Sequence, residues 1–244
     1  MKVSGHQPCY IPWYGFFEKV AKVDIFAIHD IAQYEKGGYI NRNLIKSSQG
    51  FLWLTIPIQI KGNKNTPIKE IKIDNTQDWK RRHWKAITVN YNKSKYFRDY
   101  RDFFGDIYHS NWEYIYELNM SIISFIMDEL NINTKLCYIS EMECRHKKKS
   151  DFVLSLCKEL QADNYLSGKL GKEYLNEKDF ELEGINIDYQ EIRKIEYQQL
   201  FNDFIPNLSI IDILFNCGPV RTEAIVRGER SFDERISFLS SSRR

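Results

Sequence analysis

The stretch His6-Gln7-Pro8-Cys9-Tyr10-Ile11-Pro12-Trp13-Tyr14-Gly15-Phe16-Phe17-Glu18-Lys19 is the densest concentration of chemically able side chains in the chain. The His6 imidazole could take a proton from a nucleophile or hold a phosphate oxygen; the alternative is that His6 and Gln7 only hydrogen-bond a turn stiffened by Pro8 and Pro12. Cys9 could act as a thiolate carrying an acyl group, or be a small buried thiol. Trp13 and Trp53 could stack on a sugar or base, with core packing as the default reading. Further along, Asp30 and His29 are further candidate bases, and Arg42, Lys46 and the Ser167-Gly168 turn are candidate anion binders. Asp212 and Asn216 lie one helical turn apart and could meet a ligand together or fix packing.

The elements that must position these residues follow from periodicity. Lys2 to Gly5 and the apolar run Asp24 to Asp30 read as strands around a helix from Phe16 to Val23, a βαβ opening with His6 at a strand end. Ile31 to Ser48 reads as a long loop carrying Asn41, Arg42 and Lys46, followed by strands at Phe51 to Ile56 and Ile68 to Ile73. Asn75-Thr76 caps a helix from Gln77 to Tyr91, and the capping-box spacing of Ser110 and Glu113 starts a long amphipathic helix from Asn111 to Leu130. A second alternation follows: strand Lys135 to Met142, helix Asp151 to Leu160, strand Asn164 to Leu166, helix Lys169 to Leu175, strand Ile185 to Tyr189. The expected fold is therefore α/β, a mostly parallel sheet with helices on both faces plus a helical segment around residues 77–130, with ligands at the carboxyl ends of strands. The chain is expected to form a single domain over residues 1–244, with two lobes meeting near residues 131–150 and a frayed polar tail from Ser240 to Arg244.

Composition narrows the function classes. With 244 residues, 43% hydrophobic and 28% charged, the chain can bury a core without staples. Its 35 basic and 33 acidic side chains leave a net charge of +2, no field for gripping long nucleic acid. Five scattered cysteines without a C-x-x-C pair point to reduced thiols and a cytoplasmic location, and no apolar run is long enough for a transmembrane segment. No metal-ligand spacing occurs among the five histidines. Ser167-Gly168-Lys169-Leu170-Gly171-Lys172 looks like a phosphate loop but has Glu173 where that motif needs Ser or Thr.

The pattern His6-Gln7-Pro8-x-Tyr10-x-Pro12-Trp13-x-Gly15-Phe16-Phe17-x-Lys19 resembles the opening signature of the WbqC-like family. The likeness continues through Asp24, Asp30, Gln33, Asn41-Arg42-Asn43, Ile45-Lys46, Gly50 and Trp53 to Pro57. It resumes at Tyr165 to Gly168, Tyr174-Leu175, Gly184-Ile185 and Leu208 to Gly218. The resemblance implies a place in O-antigen or other surface-polysaccharide biosynthesis, and a transferase that forms an amide by moving an amino acid such as glycine, or another acyl group, onto the amine of a nucleotide-linked amino sugar. It adds Gln7, Tyr10, Gln33 and Asn41 to the substrate-binding candidates Trp13, Arg42, Lys46, Ser167, Gly168, Asp212 and Asn216, with His6 and Asp30 as the catalytic pair. Cys9 falls at a variable place in the signature, which favours the buried-thiol reading.

Such a reaction needs a base for the amine, donors for the carbonyl oxyanion and positive charge for the pyrophosphate. An aminoacyl-tRNA donor would call on the basic runs Lys80 to Lys85 and Arg145 to Lys149, and ranks below a small-molecule donor. Two other readings stay open: an ATP-dependent, magnesium-using ligase that adenylates a carboxylate, by fold analogy alone, and a non-catalytic protein that binds a glycan precursor.

Overall fold

A computed structural model describes residues 1–59, 66–201 and 203–229. The Ser240 to Arg244 tail lies outside the described residues. Five strands form one parallel sheet in the order β5-β2-β1-β6-β7: β1 (Lys2–His6), β2 (Ile25–Ile28), β5 (Lys135–Tyr138), β6 (Asn164–Ser167) and β7 (Asn186–Tyr189). Two more, β3 (Arg42–Ser47) and β4 (Gly50–Thr55), make a separate antiparallel ribbon. Among the described residues the α-helices are α1 (Tyr14–Ala21), α2 (Trp79–Tyr91), α3 (Phe97–His109), α4 (Ile115–Glu129), α5 (Lys149–Glu159), α6 (Glu177–Leu182) and α7 (Ile210–Arg227).

The central strands β1, β2 and β6 are mostly buried, as parallel strands between helical layers must be, while the edge strands β5 and β7 are partly exposed. In β2, Phe26 and Ile28 enter the larger core with α1, α2, α3, α4 and α7, whereas Ala27 points the other way. There it joins Val3, Tyr165 and the apolar faces of α5 and α6. The sheet order reverses direction between β1 and β6, because the chain first builds outward through β2 and β5, then returns to the other side of β1. That reversal opens a crevice at the carboxyl ends of β1 and β6.

Several local expectations change. The segment read as a loop from Ile31 to Ser48 contains β3, whose Asn43, Ile45 and Lys46 are buried. Ile68 to Ile73 holds a single 3-10 turn and isolated bridges in place of a strand. Ser110 terminates α3 by donating its N–H to Asp106, and α4 starts only at Ile115. Residues 169–173 form a short 3-10 turn, too brief to offer the helix N-terminus expected there for phosphate.

Candidate functional site

β1 ends at His6 and the chain turns through Pro8 to Pro12 into α1, the entry of which is fixed by a bridge between Trp13 and Ser209. His6, Cys9, Pro12, Trp13, Phe16, Tyr39, Asn43 and Asn207 enclose a cavity of about 270 Å³. A second cavity of about 480 Å³ shares Trp13 and Asn207 with the first and runs under residues 192–197, including Arg193 and Lys194. The carboxyl end of β1 therefore faces a mostly apolar chamber with aromatic walls, suited to a ring held by stacking and a few polar contacts.

His6 Nδ1 lies 2.9 Å from the Gln7 carbonyl, so that nitrogen carries the proton and Nε2 is left as the acceptor. Phe16 meets the ring edge-on at 5.6 Å. Burial, then the Lys19 ammonium, lower the His6 pKa from 6.5 to about 4, against the Gln7 hydrogen bond and with a smaller push from His29. His6 is exposed, so water moderates the depression, and the imidazole is neutral at pH 7. Cys9 Sγ sits 3.8 Å from His6 Nδ1, but burial pushes its thiol up to about 12. The thiol stays protonated and is no acyl carrier.

Lys19, on α1, was not among the residues assigned a role from the sequence. It is only 5% exposed, and its Nζ donates to the Gly5 carbonyl at 2.9 Å. Burial lowers its pKa from 10.5 to about 8. The sequence signal was a lysine on a helix whose residues Tyr14 to Val20 are otherwise all apolar or paired: Glu18 forms an ion pair with Lys22. Asn207, at positive φ, and Tyr39 are two more cavity residues that residue type alone did not single out.

The structure brings together His6, Trp13 and the signature turn, with Ser167 and Gly168 at the end of the adjoining β6. Ser167 is buried, its hydroxyl on the Gly168 carbonyl at 3.0 Å. Arg42 stands at the rim: its guanidinium bonds the Gly37 and Gly38 carbonyls and lies 4.3 Å over Trp53, which contacts Tyr39. Gln7 contributes its backbone carbonyl. Gln33 is exposed on a loop bridged to Pro67, away from the chamber's walls.

The other assigned residues are held by the core. Tyr10 has no exposed surface; Tyr108 donates to its hydroxyl, which donates to His83 Nδ1 at 3.0 Å, while His83 Nε2 donates to the Thr55 carbonyl. Asp30 is 2% exposed and accepts from the Ser140 N–H, and His29 stacks on Phe152. Asn41 ties the Ile56 carbonyl to the Tyr34 hydroxyl. Lys46 bonds the Asp203 carbonyl. Asp212 accepts from Tyr91, Tyr197 and Gln199, and Asn216 donates to its backbone. Burial raises the Asp212 pKa, opposed by these bonds and by Lys46. Of these, Asn41 and Lys46 tie the ribbon to its surroundings and Asp212 ties α7 to Tyr91, Tyr197 and Gln199; none of them lines the chamber.

Among the described residues, no group of three or more His, Cys, Asp or Glu side chains could hold a metal, and no helix is long and apolar enough to cross a membrane. The chain is similar to the uncharacterized protein Rv1507c of Mycobacterium tuberculosis, 38% identical over 224 residues that cover 89% of this chain and 94% of the relative. No solved structure matches it. The model of the WbqC-like protein family matches residues 7–224, from the residue after His6 to the second half of α7, and the chain belongs to that family.

Proposed function

We propose that this protein is a transferase of surface-polysaccharide biosynthesis, working in the cytoplasm, that forms an amide on the amine of a nucleotide-linked amino sugar. The observation that carries the reading is the neutral His6 at the wall of the 270 Å³ chamber, with Nδ1 tied to Gln7 and Nε2 available as a base. The sugar ring packs between Trp13, Phe16 and Tyr39. Its amine attacks the carbonyl carbon of an activated ester or thioester of an amino acid, held from the 480 Å³ side. The N–C bond forms, the bond to the leaving group breaks, and the proton lost by the amine passes to His6 Nε2 and then to the leaving group. Asn207, shared by both cavities, supplies the side-chain amide for the developing oxyanion. With Cys9 protonated, transfer is direct and passes through no acyl-enzyme.

The direct test is mass spectrometry of mixtures containing a nucleotide-linked amino sugar, its hydroxyl counterpart and an activated aminoacyl donor. Amide on the amino sugar alone supports the reading; no product, or equal product with the hydroxyl sugar, overturns it. The β1/β6 reversal favours one second reading, adenylation of a carboxylate by ATP with magnesium, because such crevices accommodate nucleotides. ATP-dependent release of pyrophosphate in the absence of sugar would select it.

A further inference from the structure

The ladder between β1 and β6 stops early. Lys2 pairs with Asn164 and Val3 with Tyr165, and there the register ends, although β1 runs on to His6 and β6 to Ser167. Beyond that point the Ser4 hydroxyl takes the Leu166 carbonyl. The Lys2 and His6 carbonyls accept from Asp24 and His29 on the β2 side, so by the alternation of a strand the Gly5 carbonyl faces β6. It receives the Lys19 ammonium in place of a β6 amide. A buried cation thus sits in the gap where the two central strands part.

Two features make that ammonium unlike a structural lysine. Among the described residues no carboxylate pairs with it, and its one neutral acceptor leaves two of three N–H donors for another oxygen. Burying a charge without a counter-ion is costly. The second feature is the neighbour: Gly168, partly exposed and directly after β6, borders the ammonium, since a Cβ built on it would lie 3.9 Å from Nζ, in ordinary van der Waals contact.

We propose that Lys19, with the parted ends of β1 and β6 at Gly5 and Gly168, forms a subsite for a phosphoryl group. Resting on the transferase reading, that group is the diphosphate of the nucleotide-linked sugar, which places the sugar beside His6. Phosphate oxygen would supply the counter-charge that the described residues lack and would relieve the electrostatic pressure of Lys19 on His6, making the imidazole a stronger base only when substrate is present.

The experiment uses the full chain and inorganic pyrophosphate, with calorimetry for affinity and ¹⁵N NMR of the histidine rings. Wild type should bind pyrophosphate with a shift of the His6 ring resonances. Lys19→Met should weaken binding at least tenfold, and Lys169→Met, which removes an exposed charge nearby, should change it less than threefold. Absence of binding to wild type, binding without a His6 shift, or equal effects of the two substitutions would each overturn the subsite. Wild-type binding and the His6 shift decide the matter even if Lys19→Met does not fold. The two proposals fail separately: pyrophosphate binding without any amide product leaves the subsite standing and removes the transferase, whereas amide synthesis with an unchanged KM in Lys19→Met does the reverse.

Discussion

At the scale of single residues, function rests on which polar groups remain available after the fold has used the others. Tyr10, Asn41, Lys46 and Asp212 have matching partners in the core, whereas His6 lines a chamber and, among the described residues, only its Nδ1 is bonded. Replacing His6 with Gln removes the base while keeping a polar group of similar reach, so kcat should fall by about 10²–10⁴-fold with the melting temperature little changed. A variant that keeps wild-type kcat would take His6 out of the chemistry. Arg42 acts on a different quantity. Its guanidinium fixes Gly37, Gly38 and, through Trp53, the Tyr39 wall, so Arg42→Ala should raise the KM for the sugar several-fold and leave kcat within about twofold. A large loss of kcat at unchanged KM would mean that Arg42 contacts the reacting atoms.

At the scale of elements, close approach and buried bonds position the site. A Cβ on Gly5 would stand 2.9 Å from the Ala27 carbonyl oxygen, inside the β1–β2 pair. Gly5→Ala should therefore cost about 1–3 kcal/mol by pushing these strands apart, measured by denaturant unfolding. Asp212→Ala would leave the Tyr91 and Tyr197 hydroxyls without their acceptor, while Gln199 keeps the Ile205 carbonyl, and should cost about 3 kcal/mol. Its loss should appear as instability and not as a selective loss of kcat in the protein that remains folded. The sheet strands were legible in the sequence because buried parallel strands are short apolar runs set between helical repeats. The ribbon strand β3 was not: Asn41, Asn43 and Lys46 look like surface residues, and only their distant acceptors, the Ile56, Tyr10 and Asp203 carbonyls, explain their burial. Ile68 to Ile73 misled in the opposite sense, its alternation serving isolated contacts to Ala32, Asp30 and Glu113 and no ladder. Lys19 stayed hidden because a lysine on a helix ordinarily reaches water, and its partner Gly5 belongs to a different element.

At the scale of the whole molecule, the fold couples protons to stability and shape to reaction. His83 is buried and, like His6, has its pKa lowered from 6.5 to about 4, chiefly by burial. Between pH 6.5 and 4 the unfolded chain binds more protons than the native one, so these groups make stability fall as pH drops through that window and have no effect above it. Thermal melting should show that slope, smaller in His83→Gln; His6, open to the cavity, contributes the lesser part. A melting temperature that rises from pH 6.5 to 4 would contradict the neutral assignments. The mostly parallel sheet was readable in outline from the order of strands and helices, whereas its strand order, with the reversal at β1 and β6, was not. The chamber itself was not, because its far wall joins the Tyr39 to Asn43 stretch with Asn207, two parts of the chain distant from each other and from β1. The most direct measurement is amide formation on a nucleotide-linked amino sugar at pH 7.5, followed by mass spectrometry for wild type and His6→Gln. The account predicts product with wild type, a loss of at least 10²-fold in the variant, and no product on the hydroxyl sugar; equal rates for the two proteins, or no amide from wild type with any activated donor, would contradict it.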